Sequence, residues 1–250
     1  MIAKPLSGPA YGSIPHLPGS RLGPADRHIH EGQARICTVQ RKHKNQHVIV
    51  QEKLDGSCCA VACLTDGSIV ALQRSGYLAQ TSPFEQHQLF AQWVREREGV
   101  FRNTLRPGER LVGEWLAQAH GVRYKLRVEP FAPFDLFIDG KRAGVDKTWS
   151  AVGWMNIDGL ILAQPRVICA NNPVAPEVAY SMLLNRWPSD DYWGHIDPPE
   201  GLVYRVERDG EVEFLAKWVR PDKVDGKYLP EISGGEAIWH WRPESKGAAA

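Results

Sequence analysis

Asp-Gly pairs close short β-branched or aromatic runs at four places in this chain: Asp55-Gly56, Asp66-Gly67, Asp139-Gly140 and Asp209-Gly210. Asp and Gly tolerate the positive φ of tight turns, so runs on either side of such a pair read as antiparallel neighbours. Residues 60–64 and 69–73 flank the second pair, and residues 201–206 and 212–219 flank the fourth. The aromatic run 131–138 ends at the third. Strand signals also run from Ile36 to Ser57, broken by the basic stretch 41–45, and recur at 111–116 and 157–163. Ser82 and Pro83 open a helix expected to reach Glu98, with Phe84, Leu89, Phe90, Trp93 and Val94 on one face and Gly99 ending it. Pro176 opens a shorter helix carrying Val178, Met182 and Leu183. The expected class is α+β, with largely antiparallel sheets and two or three flanking helices. No repeat and no Rossmann or P-loop glycine fingerprint is present.

Three stretches divide the 250 residues. Residues 1–30 are rich in Gly, Pro and Ser and read as an irregular arm laid over a surface; 31–230 form one domain; 231–250 read as a loose polar tail. A formal charge of +1 gives no global basic field, so any nucleic-acid site must be a local patch. No apolar run approaches the roughly 20 residues that span a bilayer, and the N-terminus lacks the apolar core of a signal peptide. The five cysteines (Cys37, Cys58, Cys59, Cys63, Cys169) lack paired-knuckle spacing. Neither a disulfide framework nor a zinc site is expected; Cys59 and Cys63, in a strand-like run, read as buried free thiols, and a reducing cytoplasm follows.

Chemistry enters with residues 48–57, where a β-branched run carries Lys53 to the mouth of a core before Asp55-Gly56 turns the chain away. An amine is nucleophilic only when neutral, which needs a rigid, partly desolvated position near other cations. Four more charged residues sit at strand ends or inside apolar runs: Arg74, Glu114, Glu200 and Lys217. An ion inside an apolar strand is costly without a partner. Five on one sheet system, with an aromatic strand between, look like a pocket for a polyanion carrying a planar base.

This ordered set resembles the covalent nucleotidyltransferase superfamily of polynucleotide ligases and messenger-RNA capping enzymes. Within it, the chain looks most like the ATP-dependent RNA ligases, from about Gln51 to Lys217. Lys53-Leu54-Asp55-Gly56 matches the nucleotidyl-lysine motif, preceded by a Glu52 common in RNA ligases. Gly113-Glu114 matches the motif whose glutamate holds the ribose, Phe134-Asp135 the one whose ring stacks on adenine, and Glu200-Gly201-Leu202-Val203 the one whose glutamate works with the metal. Arg74 stands where the family has an arginine after the first hairpin, and Lys217 where a lysine holds the α-phosphate. The resemblance implies a ligase adenylation fold and Lys53 as the nucleophile. It implies nucleotide binding by Gln51, Glu52, Arg74, Glu114, Phe134, Glu200 and Lys217, with Glu200 also on Mg²⁺ or Mn²⁺. Lys217 and Arg74 would help to keep Lys53 deprotonated. Lys53 would take AMP from ATP, pass it to an RNA 5′-phosphate, and a 3′-hydroxyl would displace it.

The family pattern is broken twice. Cys58 falls where RNA ligases tend to have Asn and DNA ligases Arg, and Val219 stands where a second lysine is usual, with Arg220 or Lys223 as substitutes. Asp158-Gly159-Leu160-Ile161 imitates the Glu200 motif but reads as a turn, and His120 and His195 read as polar loop histidines. The 33 residues after Lys217 are too few for the OB-fold domain of DNA ligases and capping enzymes. The expected substrate is therefore RNA ends or a nicked RNA duplex. A DNA ligase or guanylyltransferase, and a silent nucleotide or RNA-end binding module, are the alternatives.

Overall fold

The computed structural model describes residues 4–6, 8–186 and 192–243. In chain order the elements are α1 (Glu31–Thr38), β1 (Gln46–Lys53), β2 (Ser57–Cys63), β3 (Ile69–Gln73), a short 3-10 turn (Ala79–Thr81), α2 (Glu85–Glu96), α3 (Glu98–Thr104), β4 (Arg110–Trp115) and β5 (Phe131–Ile138). Then come β6 (Lys141–Arg142), α4 (Val145–Ile157), β7 (Val167–Cys169), α5 (Pro176–Arg186), β8 (Gly201–Arg208), β9 (Glu211–Val219) and α6 (Pro230–Ser233). The strands form two antiparallel sheets, in the orders β7-β1-β8-β9 and β3-β2-β4-β5-β6. The α+β class stands, with more helices than expected.

The Asp-Gly pairs do two different jobs. At Asp139-Gly140 and Asp209-Gly210 both residues have positive φ (50° and 75°, 54° and 78°), as the tight turns of β5-β6 and β8-β9 require. Gly56 instead lies on the connection from one sheet to the other. A Cβ there would stand 2.4 Å from the carbonyl oxygen of Trp115, so only glycine lets the chain pass.

Each sheet buries one face by simple alternation. In the first, Val48, Val50, Leu202, Tyr204, Val206, Ala216 and Trp218 pack with Leu17 of the arm, Cys37 of α1 and Leu183 of α5. In the second, Cys59, Val61, Leu111, Trp115 and Phe131 pack with Phe90, Trp93, Phe101 and Met155. The rows of opposite parity face a shared cavity.

Four sequence expectations fail, each for a local reason. Ile36 lies in α1, not in a strand. Ile157 ends α4, whose apolar residues make no clean stripe, and the 157–163 strand does not form. Leu160 and Leu162 alternate in burial with exposed Ile161 as a strand would, but their N–H groups go to Met155 O (2.9 Å) and Asn156 Oδ1 (2.7 Å) instead of a ladder. The helix expected to open at Ser82-Pro83 runs only from Glu85 to Glu96 with exposed Phe84 at its N-cap and no side-chain cap, and Gly99 lies inside α3 and does not end it. The segment around Trp239–Trp241, expected in a polar tail, is packed in: His240 N–H donates to Ala117 O (2.8 Å) and the Trp241 ring lies 5.4 Å from that of Trp115. The expected tail end, residues 246–250, lies outside the described residues. Among the described residues no helix is long and apolar enough to cross a membrane.

Candidate active site

The opposite faces of the two sheets enclose a pocket of about 740 Å³. β1 contributes Gln51 and Lys53, and β8 and β9 contribute Val203, Arg205, Leu215 and Lys217. The second sheet contributes Cys58, Glu114, Phe134 and Asp135, with Arg74 just past β3, and the arm adds Tyr11 and Ile14. Register explains the grouping: Lys53 pairs with Gly201, Gln51 with Val203, and Val203 with Lys217, all on one face. The basic stretch 41–45 lies beyond Gln46, the start of β1, which is itself seven residues or about 23 Å from Lys53. It is not beside the lysine.

Lys53 is held among acids. Its Nζ donates to Glu200 Oε2 at 2.5 Å, and the other oxygen, Glu200 Oε1, accepts from Lys223 Nζ at 2.5 Å. Lys223 also approaches Asp55 Oδ1 at 3.3 Å, so it, not Arg220 (paired with Asp222 at 2.6 Å), brings the extra cation to the cluster. Burial pushes the Lys53 amine down, but the carboxylates of Glu200, Glu114 and Asp55 outweigh it and hold the amine above its ordinary value. Lys217 and Arg74, expected to keep Lys53 neutral, are opposed by the carboxylates of Glu200, Glu114 and Asp55. Three acids outvote two cations.

The acids pay for this crowding unequally. Glu200 is held below the usual carboxylate range, its burial overcome by Lys53 and Lys223. Burial and Glu200 raise Asp55 to about 6; burial, only partly offset by Lys53, raises Glu114 to about 7. Glu114 Oε1 also accepts the Gly56 N–H at 3.0 Å, which ties the acid to the lysine loop.

At the other end, Phe134 and Asp135 both reach the pocket although neighbours on a strand should point apart. A bulge explains it: Val112 pairs with Asp135 and Gly113 with Pro133, leaving Phe134 as the extra residue. Asp135 is fully buried and accepts from Tyr11 Oη (2.8 Å), Arg142 Nε (2.8 Å) and Arg205 Nη2. Arg205 Nη2 also donates to Phe134 O at 3.0 Å, so one guanidinium ties the two sheets together behind the ring. Tyr11 stands edge-on to Phe134 with centroids 5.7 Å apart. Tyr11 and Arg205 have no counterpart among the sequence candidates and Asp135 entered only as the neighbour of Phe134 in its motif, though an arginine inside the apolar run 201–206 was a usable signal. Arg74 is exposed and its Nε donates to Tyr11 O at 3.3 Å.

Glu52 lines the pocket, but its side chain turns away from it. It faces Leu202 across the ladder on the core side, and its side chain is 1% exposed, with Oε1 3.0 Å from His195 Nε2. His195 lies in a loop as expected, but its ring is buried against Glu52. His120 meets Gln86 Oε1 at 2.9 Å, and burial with Lys223 lowers it to about 4. Asp158 caps α4 beside Gly159 (φ +90°), a turn as expected.

The sequence pattern of the RNA ligase family matches residues 46–219. The chain belongs to the RNA ligase family. The matched segment begins with β1 and ends with β9, so it contains both sheets and the site candidates from Gln51 to Lys217, while Tyr11 and Lys223 lie outside it. Among solved structures, Naegleria gruberi RNA ligase with PPi is 20% identical with a TM-score of 0.51, covering 88% of this chain and 60% of that one. A mutant of the same enzyme with ATP and Mn is 19% identical with a TM-score of 0.51, covering 86% and 60%. An archaeal ATP-dependent RNA ligase is 20% identical over 72% of this chain and 44% of that one, with a TM-score of 0.46. This RNA ligase-family chain thus spans about 60% of the Naegleria enzyme's length and shares its fold. Comparison with curated proteins gives no match.

Proposed function

We propose that the protein is an ATP-dependent RNA ligase in which Lys53 carries AMP. The observation that supports this best is an amine fixed by Glu200 in a pocket whose other walls hold an acid (Glu114), an aromatic ring (Phe134) and a cation (Lys217). Naegleria gruberi RNA ligase, of the same fold, has been solved with ATP and Mn and with PPi. ATP would lie with its base against Phe134, its ribose toward Glu114 and its α-phosphate toward Lys217 and Arg74, with Gln51 on the floor.

Lys53 Nζ would attack the α-phosphorus in line, form the N–P bond and expel pyrophosphate. The AMP would then move to an RNA 5′-phosphate, and the 3′-hydroxyl of the adjoining strand would attack that phosphate and release AMP. Each step is a displacement at phosphorus, so positioning and charge neutralisation supply most of the catalysis. The amine must first lose the proton that Glu200 stabilises. A divalent cation would suit this acid-rich corner, where burial and the charge of Glu200 raise both Asp55 and Glu114. Among the described residues no three of His, Cys, Asp and Glu converge to hold a metal alone, so Glu200 would share Mg²⁺ or Mn²⁺ with phosphate oxygens and water. Bound there, the metal would supply positive charge against the phosphates, with Glu200 as its protein ligand.

Free thiols at all five cysteines support a reducing, cytoplasmic setting. The test is joining: with ATP and Mg²⁺, a nicked RNA duplex bearing a 5′-phosphate is sealed, and a nicked DNA duplex much more slowly. Sealing of DNA alone, or labelling by GTP in place of ATP, assigns the chain to the DNA ligase or guanylyltransferase alternative. ATP binding without pyrophosphate release assigns it to a silent binding module.

A further inference from the structure

The arm, residues 8–30, precedes the family-matched segment, yet it reaches the candidate phosphate lysine. Residues 15–21 run along the outer edge of β9. Lys217 N–H donates to Pro15 O (2.9 Å), Leu17 N–H to Lys217 O (2.8 Å), and Arg21 N–H to Val219 O (3.0 Å). The arm then doubles back through a turn closed by Asp26 N–H to Gly23 O (3.1 Å), and pairs with itself at His16 and His28. This brings Asp26 Oδ1 to 3.3 Å from Lys217 Nζ.

The carboxylate is itself fixed on its other oxygen. Asp26 Oδ2 accepts the Gly23 N–H at 2.9 Å and lies 3.1 Å from Nε2 of His16, whose ring is 2% exposed. His16 Nδ1 meets Ser20 Oγ at 2.7 Å, and that oxygen also accepts the Val219 N–H at 2.9 Å. A chain of contacts thus runs from the β9 backbone through Ser20, His16 and Asp26 back to the Lys217 amine.

We propose that Asp26, set by His16, is a positioning residue that aims the Lys217 ammonium at the α-phosphate, so that the arm completes the active site. The inference rests on the ligase reading above. An ammonium on a four-carbon stem has rotamer freedom to lose, and a fixed carboxylate takes one of its three donors while leaving two for phosphate. Asp26 touches no reacting atom in this arrangement; its effect passes through Lys217. Positioning of this kind counts where charge shifts during the displacement, so it belongs in the rate more than in nucleotide affinity.

The test is the single-turnover rate of Lys53 adenylylation in the full chain, as a function of ATP, in a double-mutant cycle. Asp26→Asn lowers the maximal rate about tenfold with KM for ATP within about threefold. In a Lys217→Ala background the same substitution changes the rate less than twofold, and Asp26→Glu recovers part of the loss. Asp26→Ser repeats the comparison if Asp26→Asn melts early. A wild-type rate for Asp26→Asn, a loss confined to KM, or an equal loss in the Lys217→Ala background overturns the proposal. Failure of the underlying reading looks different: Lys53→Ala would then still be labelled by ATP, whatever Asp26 does.

Discussion

Lys53 meets three carboxylates before it meets a substrate, and this decides its protonation. A residue-scale consequence is measurable without nucleotide. Glu114 is raised to about 7 and Asp55 to about 6, both above their ordinary values. A raised acid binds more protons folded than unfolded, so its contribution is fully present below its ordinary value and is lost as pH rises through the folded value. For Glu114 that window runs from about pH 4.5 to 7. Glu114→Gln keeps an acceptor for the Gly56 N–H and removes the titration. Its melting temperature relative to wild type should therefore rise between pH 5 and pH 8; a constant difference across that range contradicts the assignment. At this scale Lys53, Glu114, Glu200 and Lys217 were legible because an ion inside an apolar run demands a reason. The outward turn of the Glu52 side chain follows from strand alternation, which sends adjacent residues to opposite faces, and its contact with His195 was not legible because the two lie 143 positions apart (195 minus 52).

At the scale of elements, β5 and β8 are joined by one ion pair behind the candidate base pocket. Replacing Arg205 by Met strips fully buried Asp135 of one of two guanidinium partners and should cost about 3–5 kcal/mol in urea unfolding. Adding Asp135→Asn should return part of that loss, since an uncharged amide needs no counter-ion. A fully additive double variant would refute the link. The hairpins were legible from Asp-Gly turns, but the bulge at Phe134 was not, because it is set by pairing with β4 across about 20 residues of loop and strand. α4 was missed for want of an apolar stripe. The segment around Trp241 was missed because polar neighbours hid two aromatic anchors. Trp241→Ala should destabilise the fold by about 1–3 kcal/mol by baring Trp115.

For the whole molecule, two sheets close on one pocket, and the arm fastens the edge of the first. Anything bound there touches both sheets and so favours the folded state by mass action. ATP with Mg²⁺ at a hundred times the dissociation constant should add about 2.7 kcal/mol of stability. A chelator should remove the metal-dependent part, and a melting temperature indifferent to both would argue against the pocket. The most direct measurement is the site of the covalent adduct. After incubation with ATP and Mg²⁺, peptide mapping by mass spectrometry should find AMP on Lys53, and none anywhere in Lys53→Ala. AMP on a different lysine, or bound ATP with no adduct at all, would contradict the account.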